Sequence, residues 1–154
     1  MSIEILNETT TQVDADELID LSRYVLHQLH VNPQVELCIS CVDVEAMTNL
    51  HVQWMDLDGP TDVMSFPMDE LRPGRDGEAS PGGILGDVVI CPEVAATQAA
   101  EAGHTTAEEL LLLVTHGILH LLGFDHAEPD DKREMFDLQR TLLLTYLAGR
   151  GRDR

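Results

Sequence analysis

Three of the chain's seven histidines fall within one short run, His116-Gly-Ile-Leu-His120-Leu-Leu-Gly123-Phe-Asp-His126, and this run constrains the fold more than any other feature. The residues before it read as a helix. Thr105 or Thr106 with Glu108 or Glu109 makes a capping box, and the apolar run Leu110 to Val114 carries the helix through Leu122. On that helix His116 and His120 are four apart, so both imidazoles leave one face, one above the other and about 40° apart. Gly123 takes the left-handed conformation that ends a helix and turns the chain back. The reversal carries His126 toward the open side of the same point. Three neutral imidazoles then occupy three corners of a tetrahedron and leave the fourth for water, the arrangement of a catalytic zinc. A helix-face pair of histidines beside a mere helix stop would need neither the third histidine nor the glycine at this spacing.

The same spacing occurs in the metzincin zinc signature His-Glu-x-x-His-x-x-Gly-x-x-His. The position where those proteases carry their general-base Glu is Gly117 here, so the metal site survives and the usual route to peptide hydrolysis loses its base. Three carboxylates lie in or beside neighbouring motifs. Asp125 adjoins His126 and either fixes an imidazole tautomer or stabilises the turn. Asp62 and Asp87 are residues that more often cap strands or turns than carry catalysis. Ser65 lies in no nucleophile elbow. His27, His30, His51 and His104 are isolated and read as ordinary surface or core histidines.

Elsewhere strands and helices mix without repeat or linker. Ile3 to Leu6 reads as an edge strand. Asp14 to Leu29 is an amphipathic helix with Leu18, Leu21, Val25 and Leu29 on one face, broken at Asn32-Pro33. Val35 to Val42 is a strand. Cys38 and Cys41 on it point to opposite faces, which suits neither shared metal ligation nor a redox pair. With Cys91 they make three cysteines, an odd number, which argues against a disulfide framework. Asp43 caps a helix to about Trp54, Gly59-Pro60 turns, and Asp62 to Phe66 is a short strand. Pro67 to Gly83 reads as a long loop, and such loops are usually functional or disordered. Ile84 to Ile90 resumes as a strand, Pro92 opens a helix to about Ala102, and Asp130 to Ala148 is the last helix. With 154 residues, 44% of them hydrophobic, the expectation is one α+β domain spanning 1–154. No apolar run approaches the length of a membrane span, and the N-terminus carries no secretory signal, which favours the cytoplasm.

Charge bears on the partner. Twenty-eight acidic against nine basic residues give a formal net charge of -19, and aromatics are 4%. Such a surface repels polyanions and offers few stacking rings, so composition alone argues against tight nucleic-acid binding. Arg150, Arg152 and Arg154 form the one basic cluster.

The histidine run nonetheless resembles the YbeY-type endoribonucleases, bacterial rRNA-maturation factors whose pattern is His-Gly-x-Leu-His-Leu-x-Gly-Tyr-Asp-His; Phe124 stands here for the Tyr. Pro60-Thr-Asp-Val-Met-Ser-Phe66 and Leu85-Gly-Asp-Val-Val-Ile90 match two further stretches in the same order. The resemblance implies a zincin-like α+β fold with a small mixed sheet and one Zn(2+) on His116, His120 and His126. It implies cleavage of single-stranded RNA in maturation of the 16S rRNA 3′ end and in ribosome quality control. Pre-16S rRNA, a small-subunit ribosomal protein and an Era-type GTPase are the implied partners. One position departs: the family has an Arg six residues before the Thr of Thr-Asp-Val, and Met55 stands there. The mechanism expected is attack by zinc-bound water, its pKa lowered to about 7, on an RNA phosphodiester. His116, Asp125 and Asp62 are the candidate catalytic residues. Two rivals stand beside it: another hydrolase chemistry on the same metal, and a non-catalytic ribosome-assembly factor ordered by zinc, whose acidic surface docks on a basic ribosomal protein.

Overall fold

The computed structural model describes residues 1–55 and 62–150, without the side chains of 52–55 and 150. The turn expected at Gly59-Pro60, the side chain of Met55 and the terminal Arg152 and Arg154 lie outside the described residues. The elements in chain order are β1 (Ser2–Asn7), α1 (Ala15–Gln28), β2 (Val35–Cys41), α2 (Val44–Met55), β3 (Val63–Pro67), β4 (Gly83–Ile90), α3 (Pro92–Ala102), α4 (Thr106–Leu121) and α5 (Pro129–Arg150). It is a mixed α+β fold, as the sequence pattern predicts.

The strands form one sheet in the order β1-β2-β4-β3. β1, β2 and β4 run parallel, and β3 joins β4 antiparallel as the far edge. One face of β2 presents Val35, Leu37, Ile39 and Cys41, all buried against helices. Cys38 lies on the other face, only partly buried. Burial pushes the Cys41 thiol up to about 11 and raises that of Cys38, so neither is a thiolate at neutral pH.

α4 is the central helix. Thr105 accepts from the Glu108 backbone N–H while the Glu108 carboxylate accepts from the Thr105 N–H, completing the capping box. Leu110, Leu111, Leu113, Val114, Ile118, Leu119 and Leu121 are all buried, so α4 is apolar nearly all round and sits between the sheet and α1, α3 and α5. Its approach to the sheet is close: a Cβ at Gly117 would lie 2.7 Å from Val88 Cγ1 and 3.3 Å from Ser65 Oγ. Ser65 Oγ instead donates to the Gly117 carbonyl at 2.9 Å, tying β3 to the helix.

The segment read as a long loop is stitched down rather than structureless. Met68 N–H donates to Leu85 O, Gly74 N–H to Leu29 O and Ser80 N–H to His30 O, and Arg75 and Glu78 exchange backbone bonds across a tight turn. Backbone groups folded onto a protein surface must find partners, and these came from β4 and the end of α1.

Candidate metal centre

α4 ends in a Schellman motif: Gly123 N–H donates to His120 O at 3.0 Å and Phe124 N–H to Leu119 O at 3.0 Å. Gly123 has φ 96°, a left-handed backbone that favours glycine, and the Arg72 guanidinium packs over the site, 2.6 Å from where a Cβ would stand. The chain then doubles back and Asp125 Oδ1 accepts from His126 N–H at 2.7 Å, fixing the turn.

The structure brings His116, His120 and His126 together, each offering a ring nitrogen, with these atoms all within 4.8 Å of one another. His116 and His120 meet edge to face with ring centroids 4.6 Å apart, and His126 lies 5.0 Å from His120 and 5.7 Å from His116. Burial lowers the pKa of His116, and it lowers that of His120 to about 4, with the neighbouring imidazoles adding to both. Both rings are therefore neutral at pH 7, the state that ligates.

A residue that local spacing does not reveal completes the group. Gln139 of α5, buried, lies with Oε1 2.7 Å from His116 Nδ1. An amide oxygen only accepts, so His116 donates from Nδ1 and its Nε2 carries a lone pair. That Nε2 lies 3.1 Å from His120 Nε2. Two imidazole nitrogens aimed at one point need a shared proton or a cation between them. A set of neutral imidazoles with no thiolate suits a borderline cation, so the residues present fit a metal ion. The sequence did hold a signal for Gln139. Met135, Gln139, Leu142 and Tyr146 form the buried stripe of α5, and a polar residue on such a stripe requires a partner.

The group opens onto a cleft of about 480 Å³ walled by β3 residues Val63, Met64, Ser65 and Pro67 and by His51, Asp62 and Asp125. Asp62 Oδ1 accepts from Val63 N–H at 2.8 Å, and its charge favours the protonated form of His116. Asp125 acts likewise on His120. His51, which reads as an isolated histidine in sequence, lines this cleft. Asp87 does not: Val88 faces α4, so Asp87 points to the opposite face of the sheet, beside Cys38. His104 is engaged elsewhere, 3.2 Å from Glu109. A larger cavity, about 750 Å³, lies between α1 and the end of α5 and includes His27 and His30 but none of the three clustered histidines. Converging donors rather than volume single out the smaller cleft.

Gly117 now has a structural reason. Its missing Cβ points at Val88 rather than into the cleft, so a Glu there would collide with the sheet instead of reaching a substrate. No described helix is long and apolar enough to cross a membrane.

Residues 4–147 match the family model described as Endoribonuclease YbeY. The chain is 70% identical over 150 residues to Endoribonuclease YbeY of Beutenbergia cavernae, covering 97% of this chain and all of that protein. It is 62% identical to the protein of that name from Kineococcus radiotolerans, over 99% of this chain and 90% of the other. A Thermotoga maritima protein solved in solution shares the fold with a TM-score of 0.59 and 28% identity, over 92% of this chain and 86% of that one. A family match across nearly the whole chain, joined to a histidine group that could hold a metal, leads to one conclusion: the chain belongs to the YbeY family of endoribonucleases.

Proposed function

We infer that this chain is a zinc-dependent, single-strand-specific endoribonuclease, acting as one cytoplasmic domain in maturation of the 16S rRNA 3′ end and in ribosome quality control. The observation that carries the metal part of this reading is the convergence of His116, His120 and His126, with His116 Nδ1 held by Gln139. Family membership carries the substrate class. These three imidazoles would hold the zinc, which when bound supplies Lewis acidity toward a phosphate oxygen and a nucleophilic hydroxide at neutral pH. Gln139 orients the His116 ring, and Asp125 holds the turn that presents His126. Asp62 and Asp125 face the cleft as the carboxylates able to take or hold a proton during phosphodiester cleavage. Gly117 keeps α4 seated on the sheet.

The charge of -19 shapes how substrate arrives. A surface this acidic gains little from naked RNA but docks readily on a basic small-subunit ribosomal protein, which would present pre-16S rRNA to the cleft. An Era-type GTPase is a further partner on family grounds.

The test is a contaminant-controlled cleavage assay with zinc-loaded protein, comparing single-stranded and duplex RNA. Cleavage of the single strand alone, reduced at least a hundredfold in His116→Ala, is the expected result. A His116→Ala preparation that cleaves as fast as its parent refutes the reading.

A further inference from the structure

Among the described phenylalanines and tyrosines one ring stays exposed. Phe136, on α5, keeps 37% of its surface in solvent. It lies against the metal group rather than out on the surface: its ring centroid is 5.7 Å from that of His116, tilted 36°, and 6.2 Å from that of His126, tilted 43°. Lys132, four residues earlier on the same helix face, places Nζ 5.9 Å from the ring centroid. Gln139, three residues on, reaches in toward His116 while Phe136 stays partly exposed beside His116 and His126.

We propose that Phe136 is a stacking platform for a nucleobase adjoining the scissile phosphate, with Lys132 as its cationic flank. This rests on the endoribonuclease reading above and deepens it. Aromatic stacking accepts any base, because every base has a π-face, and it needs a base that is already unpaired. Bases within a duplex are stacked on their neighbours and cannot lie on a side chain, so the platform supplies single-strand selectivity without reading sequence. It also fits the charge of the chain. Phosphate contacts are opposed by a surface of -19, whereas stacking on a neutral ring is not. One well-placed ring therefore does what a composition of few aromatics and few bases otherwise lacks.

The experiment uses zinc-loaded protein and a single-stranded RNA carrying 5-iodouridine, irradiated and mapped by mass spectrometry, alongside steady-state cleavage by Phe136→Leu and Phe136→Tyr. The expected result is a crosslink at Phe136 with the single strand and none with the same sequence in a duplex. Phe136→Leu should raise KM for single-stranded RNA about 5- to 100-fold, leave kcat within about twofold and keep its zinc, and Phe136→Tyr should restore KM. Active enzyme with no crosslink at Phe136 and an unchanged KM in Phe136→Leu overturns the proposal. So does loss of zinc in Phe136→Leu with normal KM in the loaded fraction, which would make the ring a packing shield for the imidazoles. A crosslink at Phe136 on a protein that cleaves no RNA would instead refute the endoribonuclease reading, and with it a platform beside a scissile phosphate, leaving only a ring that binds an unpaired base.

Discussion

Replacing Gln139 by Leu tests whether the buried amide prepares His116 for a metal. The substitution keeps the volume and the place on the apolar stripe of α5 but removes the acceptor 2.7 Å from His116 Nδ1. Two losses follow. The ring is released to populate the tautomer with its proton on Nε2, which cannot ligate; if half the molecules take that form, apparent affinity falls about twofold. The ring also loses its orientation, and removing such partners of a ligating histidine costs about 10- to 100-fold in metal affinity, equivalent to about 1.4 to 2.8 kcal/mol. Competition with a chromophoric chelator measures that affinity, and nitrogen-15 correlation spectra of the metal-free protein read the tautomer directly. Wild type should show His116 protonated at Nδ1, and Gln139→Leu a mixture. Gln139→Glu, which restores an acceptor and adds charge, should recover affinity or exceed it. Wild-type affinity in Gln139→Leu together with an unchanged tautomer would refute the argument.

Four further outcomes are expected. Cys38→Ser and Cys41→Ser together should leave metal content unchanged, measured by elemental analysis, because the two side chains occupy opposite faces of β2 and neither belongs to the histidine group that could share an ion. Gly117→Ala should lower the denaturation midpoint, since its Cβ would press on Val88 at 2.7 Å; overpacking of about 1 to 3 kcal/mol outweighs the roughly 1 kcal/mol gained in helix propensity. The metal-free protein should lose stability as pH falls from about 6.5 toward about 4, because burial lowers the His120 pKa to about 4 and the unfolded chain takes up that proton first; a thermal melt series in which His120→Asn keeps the full pH slope would contradict this. Naked single-stranded RNA should bind with a shallow salt dependence, a slope corresponding to roughly two or three phosphate contacts, whereas six or more would reveal a basic groove.

What sequence alone determined is local. His116, His120 and Gly123 are related by the geometry of one helix and its cap, and His126 follows within a short turn, so their convergence needs no knowledge of the rest of the chain. The same holds for the capping box at Thr105 and Glu108, the alternation that separates Cys38 from Cys41, and the strand and helix periods, whose ends shift only slightly: β1 reaches Ser2 and Asn7, and α5 runs from Pro129 to Arg150. The tertiary structure decided whatever depends on distant segments meeting. Gln139 reaches His116 because α5 crosses α4, β3 walls the cleft because it joins the sheet as an antiparallel edge, His51 of α2 lines the same cleft, and Phe136 rests against two imidazoles for the same reason as Gln139. Asp62 and Asp125 face that cleft while Asp87 does not, a choice set by strand register and by which face α4 covers. Gly117 shows the division within one residue. Its lack of a side chain is plain in the sequence, but only the approach of α4 to Val88 explains it, since close packing between elements is a property of the folded pair and is written in neither element alone.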